Sequence, residues 1–448
     1  MKIILAVHGF PPNQIGGAEW RTHRTARWLK RRGHMIQVVA VDNTDSSGDD
    51  INVNNEHIDG IDVTRLSFNK SKVATWQYKN PLIGKYLTGR LHNDRPDIFH
   101  LISGVRNTGS AVQAARDTGV PVVVTLTEFY WICPRNTLLR NTGELCHCPD
   151  NGLECLLCLC NTKLNKKLRY PTINRATSGL YGKLLLWASQ YPFLRTKMVS
   201  SGDPRRISEW RSYLKAMLMQ TARLIAPSQF LKDRYVASGI PEELFVLCRQ
   251  GLDTSQWKPP SLNEDHGPVR FGFVGNIYPH KGVDILIQAF KQLNFSHSQV
   301  RLNIFGEIDK YPVYGRRLHQ LANSDKRIRF AGHFDNREIP SVFSQIDVLI
   351  VPSVWYENSP NVILEAYACK TPVIASDIGG MAELVQRDIC GDLFKLRDVK
   401  GLRAILHRIA AQPSILAQWR MGIPNVKLIE EEISELEGIY SSVVSKNS

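Results

Sequence analysis

Two glutamates, Glu357 and Glu365, are the residues of this 448-residue chain best placed to act together in chemistry. Glu357 follows the apolar run Val348–Val351, which is typical of a buried strand, and Glu365 lies in the next predicted helix. Carboxylates on either side of a strand-to-helix turn can accept hydrogen bonds from the hydroxyls of a sugar or a ribose. Their spacing alone favours two solvated surface glutamates, so the surrounding residues decide between the two interpretations.

The residues between the two glutamates predict where the helix begins. Ser359 is the expected N-cap, and Pro360 is the expected first helical residue. The free N–H groups of Asn361 and Val362 would then form an anion site, which the helix dipole strengthens. The segment therefore predicts a phosphate site flanked by two carboxylates.

A second segment with chemical potential runs from position 271 to position 284. A strand is expected to end at Gly275 and a helix to begin near Gly282, with Lys281 at the helix start. At that position the ammonium group would neutralise a diphosphate, although a solvated lysine at a helix start is the alternative. Near the N-terminus, Gly16 and Gly17 would let backbone N–H groups approach a phosphate closely, but a Gly-Gly pair also fits a tight turn.

The elements that must position these residues form two similar series. In each series continuous apolar strands alternate with helical patterns, which predicts a parallel sheet covered on both faces. We therefore expect two doubly wound, Rossmann-like α/β domains that face a cleft at the carboxyl ends of their strands. The predicted strands span residues 3–7, 36–41, 62–66, 98–102 and 122–126 in the first series, and 271–274, 302–305, 328–330, 348–351 and 373–375 in the second.

The predicted domain bounds are 1–250 for the N-terminal domain and 251–425 for the C-terminal domain. A helical stretch from 423 to about 444 should place residues 426–448 in a helix that crosses back to the first domain. Residues 129–220 interrupt the first series with little periodicity. Because this stretch is too long for an ordinary loop, we interpret it as a functional insertion.

Six cysteines lie within 28 residues of that insertion, together with His147. A C-x-x-C pair has metal-ligand spacing, and two further cysteines could complete a tetrahedral thiolate site. Structural zinc is the first interpretation, and an iron–sulfur cluster or unligated thiols are the alternatives. The expected metal ligands are Cys133, Cys146, Cys155 and Cys158.

The net charge of +14 is concentrated, since residues 161–220 hold twelve basic and two acidic side chains. Such a patch suits an anionic lipid surface, a nucleic acid or a phosphorylated substrate, and a solvated basic face is the plain alternative. The sequence shows no run of roughly 18 apolar residues, and its N-terminus predicts a strand in place of a signal peptide. We expect a cytoplasmic chain, peripheral on the inner face of the membrane through this patch.

Taken together, these segments resemble glycosyltransferase family 4, a retaining family of GT-B fold, in a subgroup with a cysteine-bearing insertion in the N-terminal domain. The resemblance implies that Glu357 contacts the transferred sugar and that Glu365 holds the nucleotide ribose. It also implies that the backbone of the Gly16-Gly17 loop touches the donor diphosphate. Further residues beside the phosphates and sugar would be Asn358, Ser359 and Val362.

The chain departs from the family pattern at two places. Asn276 stands where relatives usually carry an arginine beside the phosphates, which leaves Lys281 as the familiar cation of this region. Thr127 and Glu128 stand where relatives often read His-Asp. Thr127 can donate a hydrogen bond, and Glu128 can orient or deprotonate an acceptor hydroxyl, so both are candidate catalytic residues with Glu357 and Lys281.

The function that the resemblance implies is transfer of a sugar, with retention, from a UDP- or GDP-sugar to a glycan or a polyprenyl- or lipid-linked acceptor in envelope, capsule or lipopolysaccharide biosynthesis. Lys281 and the helix starts would stabilise the leaving diphosphate, so no metal cofactor is required for catalysis. The alternatives are another GT-B enzyme such as a nucleotide-sugar epimerase, a binding-only pseudoenzyme, and a zinc-containing nucleic-acid binder. The last leaves the two glutamates unexplained, and no nucleic-acid partner is expected.

Overall fold

The computed structural model describes residues 1–14, 16–42, 46, 48–73, 77–140, 142–147, 155, 158, 180, 204–255, 257 and 267–445. The chain divides into two compact units. Unit 1 comprises Met1–Pro227, Lys232–Cys248 and Ile433–Ser448, and unit 2 comprises Ser228–Leu231 and Arg249–Glu432. Residues 161–179 and 181–203, which carry most of the basic patch, lie outside the described residues.

Unit 1 is built on one sheet. Its strands are β1 (Lys2–Val7), β2 (Met35–Val41), β3 (Asn52–Ile58), β4 (Ile61–Ser67), β5 (Ile98–Leu101), β6 (Val122–Thr125), β7 (Arg223–Ala226) and β8 (Phe245–Leu247). In the described part of this unit they form an eight-stranded sheet in the order β3-β4-β2-β1-β5-β6-β7-β8. The pairings are parallel except that of β3 with β4. The helices that follow these strands are α1 (Gly17–Arg31), α2 (Pro81–Asp94), α3 (Thr108–Asp117), α4 (Pro204–Leu218) and α5 (Gln229–Ala237).

Unit 2 contains a second parallel sheet. Its strands are β9 (Val269–Val274), β10 (Val300–Phe305), β11 (Ile328–Gly332), β12 (Val348–Val351), β13 (Val373–Ser376) and β14 (Gly391–Phe394). Across the described residues the order is β11-β10-β9-β12-β13-β14. The helices are α6 (Val283–Lys291), α7 (Pro312–Ala322), α8 (Ile339–Phe343), α9 (Asn361–Ala368), α10 (Gly379–Leu384), α11 (Val399–Ala411) and α12 (Ser414–Met421), and α13 (Ile429–Val444) ends the chain.

The side chains of β12 show that the second sheet is covered on both faces. Val348 and Ile350 belong to one buried apolar cluster, whereas Leu349 and Val351 belong to another. Because neighbouring side chains of a strand point to opposite faces, each face of the sheet has its own core. This pattern confirms the prediction of two doubly wound parallel-sheet α/β domains.

Several elements differ from the sequence-based expectations, and the short strands β8 and β14 were not predicted. Strand β3 was not predicted, because its Asn-rich residues lack an apolar pattern and it pairs antiparallel at the sheet edge. Helix α4 lies at the end of the stretch that we expected to be irregular. The helical stretch expected from residue 423 begins at Ile429 instead, after a non-helical segment that contains Pro424, whose ring cannot continue a helix.

A second correction concerns the helix that carries Glu365. Its first residue is Asn361, and its N-cap is Pro360 in an extended conformation, with no side-chain capping bond. Ser359 is therefore not the N-cap, because the extended ψ of Pro360 delays the helix by one residue. The first turn consequently has no side-chain cap for its N–H groups.

From Ile433 onward the last helix belongs to unit 1, and polar contacts hold it to the sheet of that unit. The Tyr440 hydroxyl lies 2.7 Å from Nδ1 of His100, and Nε2 of His100 lies 2.7 Å from Oγ1 of Thr125. Burial, followed by the nearby charge of Arg21, lowers the pKa of His100 to about 3. This neutral imidazole donates one of the two hydrogen bonds and accepts the other, which joins α13 to β5 and β6.

The N-terminal apolar run forms β1, a buried strand near the middle of the first sheet. In the part of the chain that the structure describes, no helix combines the length and apolar character needed to cross a bilayer.

Candidate functional site

The candidate residues of unit 2 lie at the place where the strand order of its sheet reverses. Strands β9 and β12 are neighbours, with Val348 beside Phe271, and the chain leaves them in opposite directions along the sheet. Such a switch point is where ligands bind in open α/β sheets, at the carboxyl ends of the strands. The loop after β9 carries Lys281, and the loop after β12 carries Glu357.

These two loops meet through the Glu357 carboxylate. Its Oε1 atom accepts a hydrogen bond from Nζ of Lys281 at 2.6 Å. The same oxygen accepts bonds from Oγ of Ser353 at 2.9 Å and from Nε1 of Trp355 at 2.7 Å. Glu357 is 8% exposed, so this is a buried carboxylate held by one cation and two neutral donors. The structure thus brings together the two predicted residues Lys281 and Glu357.

The charge state of Glu357 follows from these contacts. Burial alone would raise its pKa, because a charge is less stable away from water. The charge of Lys281 and the hydrogen bonds from Lys281, Trp355 and Ser353 outweigh burial, so the pKa of Glu357 lies below its usual value. Glu357 is therefore ionised at neutral pH.

Close backbone packing fixes the two loops against each other. The N–H of Val354 donates to the carbonyl of His280 at 2.8 Å. Gly282 has a φ of +71°, and a Cβ there would collide with the Pro352 carbonyl. A glycine is therefore required where the chain passes from the 3₁₀ turn Pro279–Lys281 into α6.

A third loop, after β13, supports Glu357 from its backbone side. The N–H of Gly380 donates to the Glu357 carbonyl at 2.7 Å, and a Cβ at this glycine would overlap the Asn358 carbonyl. Gly379, at a φ of +60°, packs against the same backbone. The Gly-Gly pair therefore lets α10 approach the glutamate loop closely.

The other predicted donor-site residues lie around the start of α9. Asn358, Ser359 and Val362 are half-buried, and Val362 packs against a core cluster. Glu365 is half-buried inside the helix. Burial, and after it the charge of Glu365, raises the pKa of Cys369 to about 12, so this thiol stays protonated.

The loop after β9 contains an exposed Asn276 at the position of the missing arginine. His280, which the sequence did not single out, lies in the same loop with its ring 4.4 Å from that of Trp355. Burial and then the charge of Lys281 lower the pKa of His280 to about 4. This imidazole is therefore neutral at pH 7 and does not replace the missing cation.

Unit 1 has a comparable switch point between β1 and β5, and the half-buried carboxyl group of Glu128 follows the neighbouring strand β6. Glu128 accepts hydrogen bonds from the Ser103 hydroxyl at 2.9 Å and from the Thr127 hydroxyl. Burial raises the pKa of Glu128, and the nearby carboxylate of Glu19 also raises it. His8 and the two hydroxyl groups act in the opposite direction without cancelling the shift. A hydrogen bond thus joins Thr127 to Glu128, the other candidate residue of unit 1.

The carboxylate of Glu19 lies against the Gly16-Gly17 loop of unit 1. Gly16 is the N-cap of α1, and a Cβ on it would lie 2.6 Å from the Glu19 carboxylate, which folds back over the helix start. Nε2 of His8 lies 3.3 Å from the same carboxylate. The sequence did not identify Glu19 or His8 as members of this group, although a Glu at the third helical position is a known capping signal.

Two arginines, the buried Arg65 and the half-buried Arg106, anchor this loop. Arg65 donates to the carbonyls of Phe10 and Pro11 at 3.1 and 3.0 Å. Arg106 donates to the His8 carbonyl at 2.6 Å and to the Gln14 side chain at 2.8 Å. These contacts join residues that lie far apart in sequence, so no local motif indicated them.

The four predicted metal ligands lie among the described residues. Cys133 and Cys155 are buried, and Cys146 and Cys158 are half-buried. Burial, with a smaller contribution from Cys146 nearby, raises the pKa of Cys133. Within the described residues, no group of three or more His, Cys, Asp or Glu side chains is arranged to hold a metal ion. Because Cys148 and Cys160 lie outside those residues, the zinc site stays a prediction.

Two parallel-sheet α/β units, each with its candidate residues at the carboxyl ends of its strands, define the GT-B class of glycosyltransferase fold. Residues 268–412 match the protein family described as "Glycosyl transferases group 1", and residues 16–148 match the "Glycosyl transferase 4-like domain". The chain belongs to glycosyltransferase family 4, as the sequence motifs predicted.

Curated relatives agree with this family. Glycogen synthase of Mycobacterium tuberculosis is 32% identical over 221 residues, which cover 48% of this chain and 51% of the relative. A lipopolysaccharide 1,2-N-acetylglucosaminetransferase of Salmonella typhimurium is 29% identical over 188 residues, which cover 38% and 48%. The chain thus spans about half the length of the curated relatives it matches.

Solved structures share the fold over the whole chain. A glycosyltransferase from Rickettsia africae superposes with a TM-score of 0.64 at 17% identity and covers 100% of this chain and 99% of its own. The Anabaena protein HepE, crystallised in complex with UDP, superposes with a TM-score of 0.63 at 17% identity and covers 99% and 100%. At this identity the likeness shows the fold.

Proposed function

We propose that the chain is a retaining glycosyltransferase that moves a sugar from a nucleotide-diphosphate-sugar to a glycan or lipid-linked acceptor. The observation that carries the proposal is the buried Glu357 carboxylate, which three donors hold by a single oxygen. A carboxylate fixed by Oε1 keeps lone pairs on Oε2 for a sugar hydroxyl. Its position at the switch point of a parallel sheet is where a nucleotide ligand would bind.

The donor is a UDP-sugar or a GDP-sugar. A structural neighbour, Anabaena HepE, was crystallised with UDP and with UDP-glucose, which favours a UDP-sugar as the first probe. We assign Glu365 to the ribose hydroxyls, and Asn358, Ser359 and Val362 to the phosphates and sugar. The uncapped first turn of α9 supports this assignment, because free N–H groups at a helix start bind anions.

Lys281 would supply the cation that stabilises the departing diphosphate. As the bond between the sugar and the phosphate breaks, negative charge grows on the leaving group, and a fixed ammonium group favours that state over the ground state. Lys281 is paired with Glu357, so the diphosphate would share this cation. No metal cofactor is required for this step.

The acceptor-side chemistry falls to unit 1. Glu128, with a raised pKa and two hydroxyl donors, is suited to exchange a proton with an acceptor hydroxyl. Thr127 orients that carboxyl group. The Gly16-Gly17 loop would approach the diphosphate only if Glu19 withdraws from the start of α1, because two anions repel each other at one helix start.

We further propose that the acceptor belongs to cell-envelope, capsule or lipopolysaccharide synthesis and is met at the inner face of the cytoplasmic membrane. Curated relatives carry names from amylovoran, colanic acid and lipopolysaccharide pathways, which supports a polysaccharide or lipid-linked acceptor. The twelve basic side chains of residues 161–220 suit an anionic lipid surface.

The proposal is tested in two steps. A panel of nucleotide-sugars is first screened for thermal stabilisation of the protein, since a ligand that binds the folded state raises its Tm. Nucleoside diphosphate release from the best donor is then measured with and without candidate acceptors. Release that requires an acceptor supports transfer, whereas release or sugar isomerisation without one would favour an epimerase. Stabilisation by none of the nucleotide-sugars would contradict the proposed function.

A further inference from the structure

The indole of Trp355 contacts Glu357 in its own loop and both His280 and Lys281 in the loop after β9. Its Nε1–H donates to Oε1 of Glu357 at 2.7 Å. Its ring lies 4.4 Å from the ring of His280, and Nζ of Lys281 lies 5.5 Å from its centroid. One side chain therefore touches the carboxylate, the cation and the neutral imidazole of the candidate site.

We infer that Trp355 is a positioning residue that holds Glu357 with Oε2 directed to the donor sugar, an inference that rests on the proposed function. All three hydrogen bonds to the carboxylate end on Oε1, and Oε2 receives none from the described residues. Lys281 is flexible and Ser353 is short, whereas the indole is a rigid donor with a single N–H. Trp355 therefore fixes the rotation of the carboxylate group, so that one of its two equivalent oxygens is held by the protein and the other is left for the sugar.

Loss of the Trp355 hydrogen bond should affect binding of the sugar and not of the nucleotide. Without the indole N–H, Oε1 keeps two donors, and the carboxylate gains freedom to rotate about its Cγ–Cδ bond, so that neither oxygen stays directed to the sugar. The sugar then loses a fixed acceptor, whereas the nucleotide contacts at the start of α9 do not depend on Trp355. A change confined to Nε1 should weaken nucleotide-sugar binding and leave nucleotide binding intact.

Trp355→Phe tests this hydrogen bond, because phenylalanine keeps an aromatic ring near His280 and removes the N–H together with the five-membered ring that bears it. The matched control is Trp257→Phe, which makes the same substitution at a side chain packed against the second core cluster of unit 2. A general effect of losing a tryptophan would appear in both variants.

The experiment is calorimetry of the full-length wild type and both variants with UDP and with UDP-glucose. For Trp355→Phe we expect affinity for UDP within about twofold of the wild type and affinity for UDP-glucose about tenfold lower, since a hydrogen bond to a charged group is involved. The variant should also lose UDP-glucose binding at a higher pH than the wild type as the solution is acidified, because Glu357 has lost a donor that favours its ionised form. Trp257→Phe should match the wild type.

Three results would overturn the inference. Equal UDP-glucose affinity and pH dependence in the wild type and Trp355→Phe would refute the positioning role and leave the proposed function standing. Equal losses for UDP and UDP-glucose would show a packing role in place of a positioning one. Failure of the wild type to bind either probe would overturn the proposed use of a UDP-sugar and this inference together.

Discussion

Nζ of Lys281 lies 2.6 Å from Oε1 of Glu357, although the two residues stand 76 positions apart in the chain. The ammonium group that would neutralise a diphosphate thus already neutralises the carboxylate that would bind the sugar. Because the carboxylate is buried and the Lys281 side chain is 25% exposed, water screens the attraction between the two charges only in part. Changes at either residue should therefore affect the other.

Replacing Lys281 with Met should reduce turnover by at least tenfold, because the leaving diphosphate loses its cation. It should also lower the free energy of unfolding by about 2 kcal/mol at pH 7, less than the roughly 3–5 kcal/mol typical of fully buried pairs, since Lys281 is partly exposed. The pKa of Glu357 is depressed in the folded state, so the stability it contributes is lost as pH falls through that pKa.

Steady-state kinetics and urea denaturation at pH 7 and pH 4 check this prediction. The stability difference between the wild type and Lys281→Met should shrink at the lower pH as Glu357 becomes protonated. Turnover within a factor of about two of the wild type would remove Lys281 from the reaction.

Replacing Glu365 with Ala should weaken donor binding by about 1–3 kcal/mol, because the ribose hydroxyls lose their acceptor. Calorimetry with UDP measures the change. Glu431→Ala, at an exposed position of α13, provides the matched control and should bind UDP as the wild type does. Unchanged affinity in the Glu365 variant would exclude this residue from the nucleotide site.

The sequence was sufficient for the parts of the fold that depend on local pattern. Buried strands such as β12 are recognisable in the sequence as continuous runs of apolar residues, and their alternation with helices predicts parallel pairing. Edge strand β3 was not predicted, because its polar residues show no such pattern and it forms by pairing with β4. The prediction that Ser359 is the N-cap was wrong. The extended backbone torsion of Pro360 makes Pro360 the N-cap, so the helix begins one residue later than expected, at Asn361.

For the candidate site, too, the sequence indicated individual residues but not the contacts between them. Motif resemblance selected Lys281 and Glu357, but it carried no information that Trp355 and Ser353 share an oxygen with Lys281. In unit 1, Glu128 was selected, whereas its neighbour Ser103 was not, since the two meet only when β5 and β6 pair. Contacts made by tertiary structure leave no spacing signal in one sequence.

The cysteine cluster is predicted to bind about one zinc ion per chain as a structural site. Metal ligation requires thiolates, and burial keeps Cys133 protonated without metal, so binding should release protons and weaken as pH falls. Elemental analysis of aerobically purified protein checks the prediction. Replacing Cys155 and Cys158 with Ala should abolish the zinc, whereas Cys248→Ala, outside the cluster, should retain it. Negligible zinc and iron in the wild type would refute the metal site.

Replacing Glu128 with Gln should lower turnover by roughly 100-fold or more if this carboxyl group exchanges a proton with the acceptor. Burial raises its pKa, so wild-type activity should fall on acidification from a higher pH than an ordinary glutamate would give, and the variant should lack this limb. Because the folded pKa is raised, the carboxyl group favours the fold when protonated, and that contribution is lost as pH rises through the folded pKa. The neutral glutamine should therefore give a Tm equal to or above that of the wild type at pH 7.

Ser103→Ala removes one hydrogen bond to the ionised Glu128 carboxylate. This variant should lose activity on acidification at a still higher pH, while its maximal turnover at higher pH stays that of the wild type. Full activity with an unchanged pH profile in Glu128→Gln would show that this carboxyl group serves only the structure of unit 1.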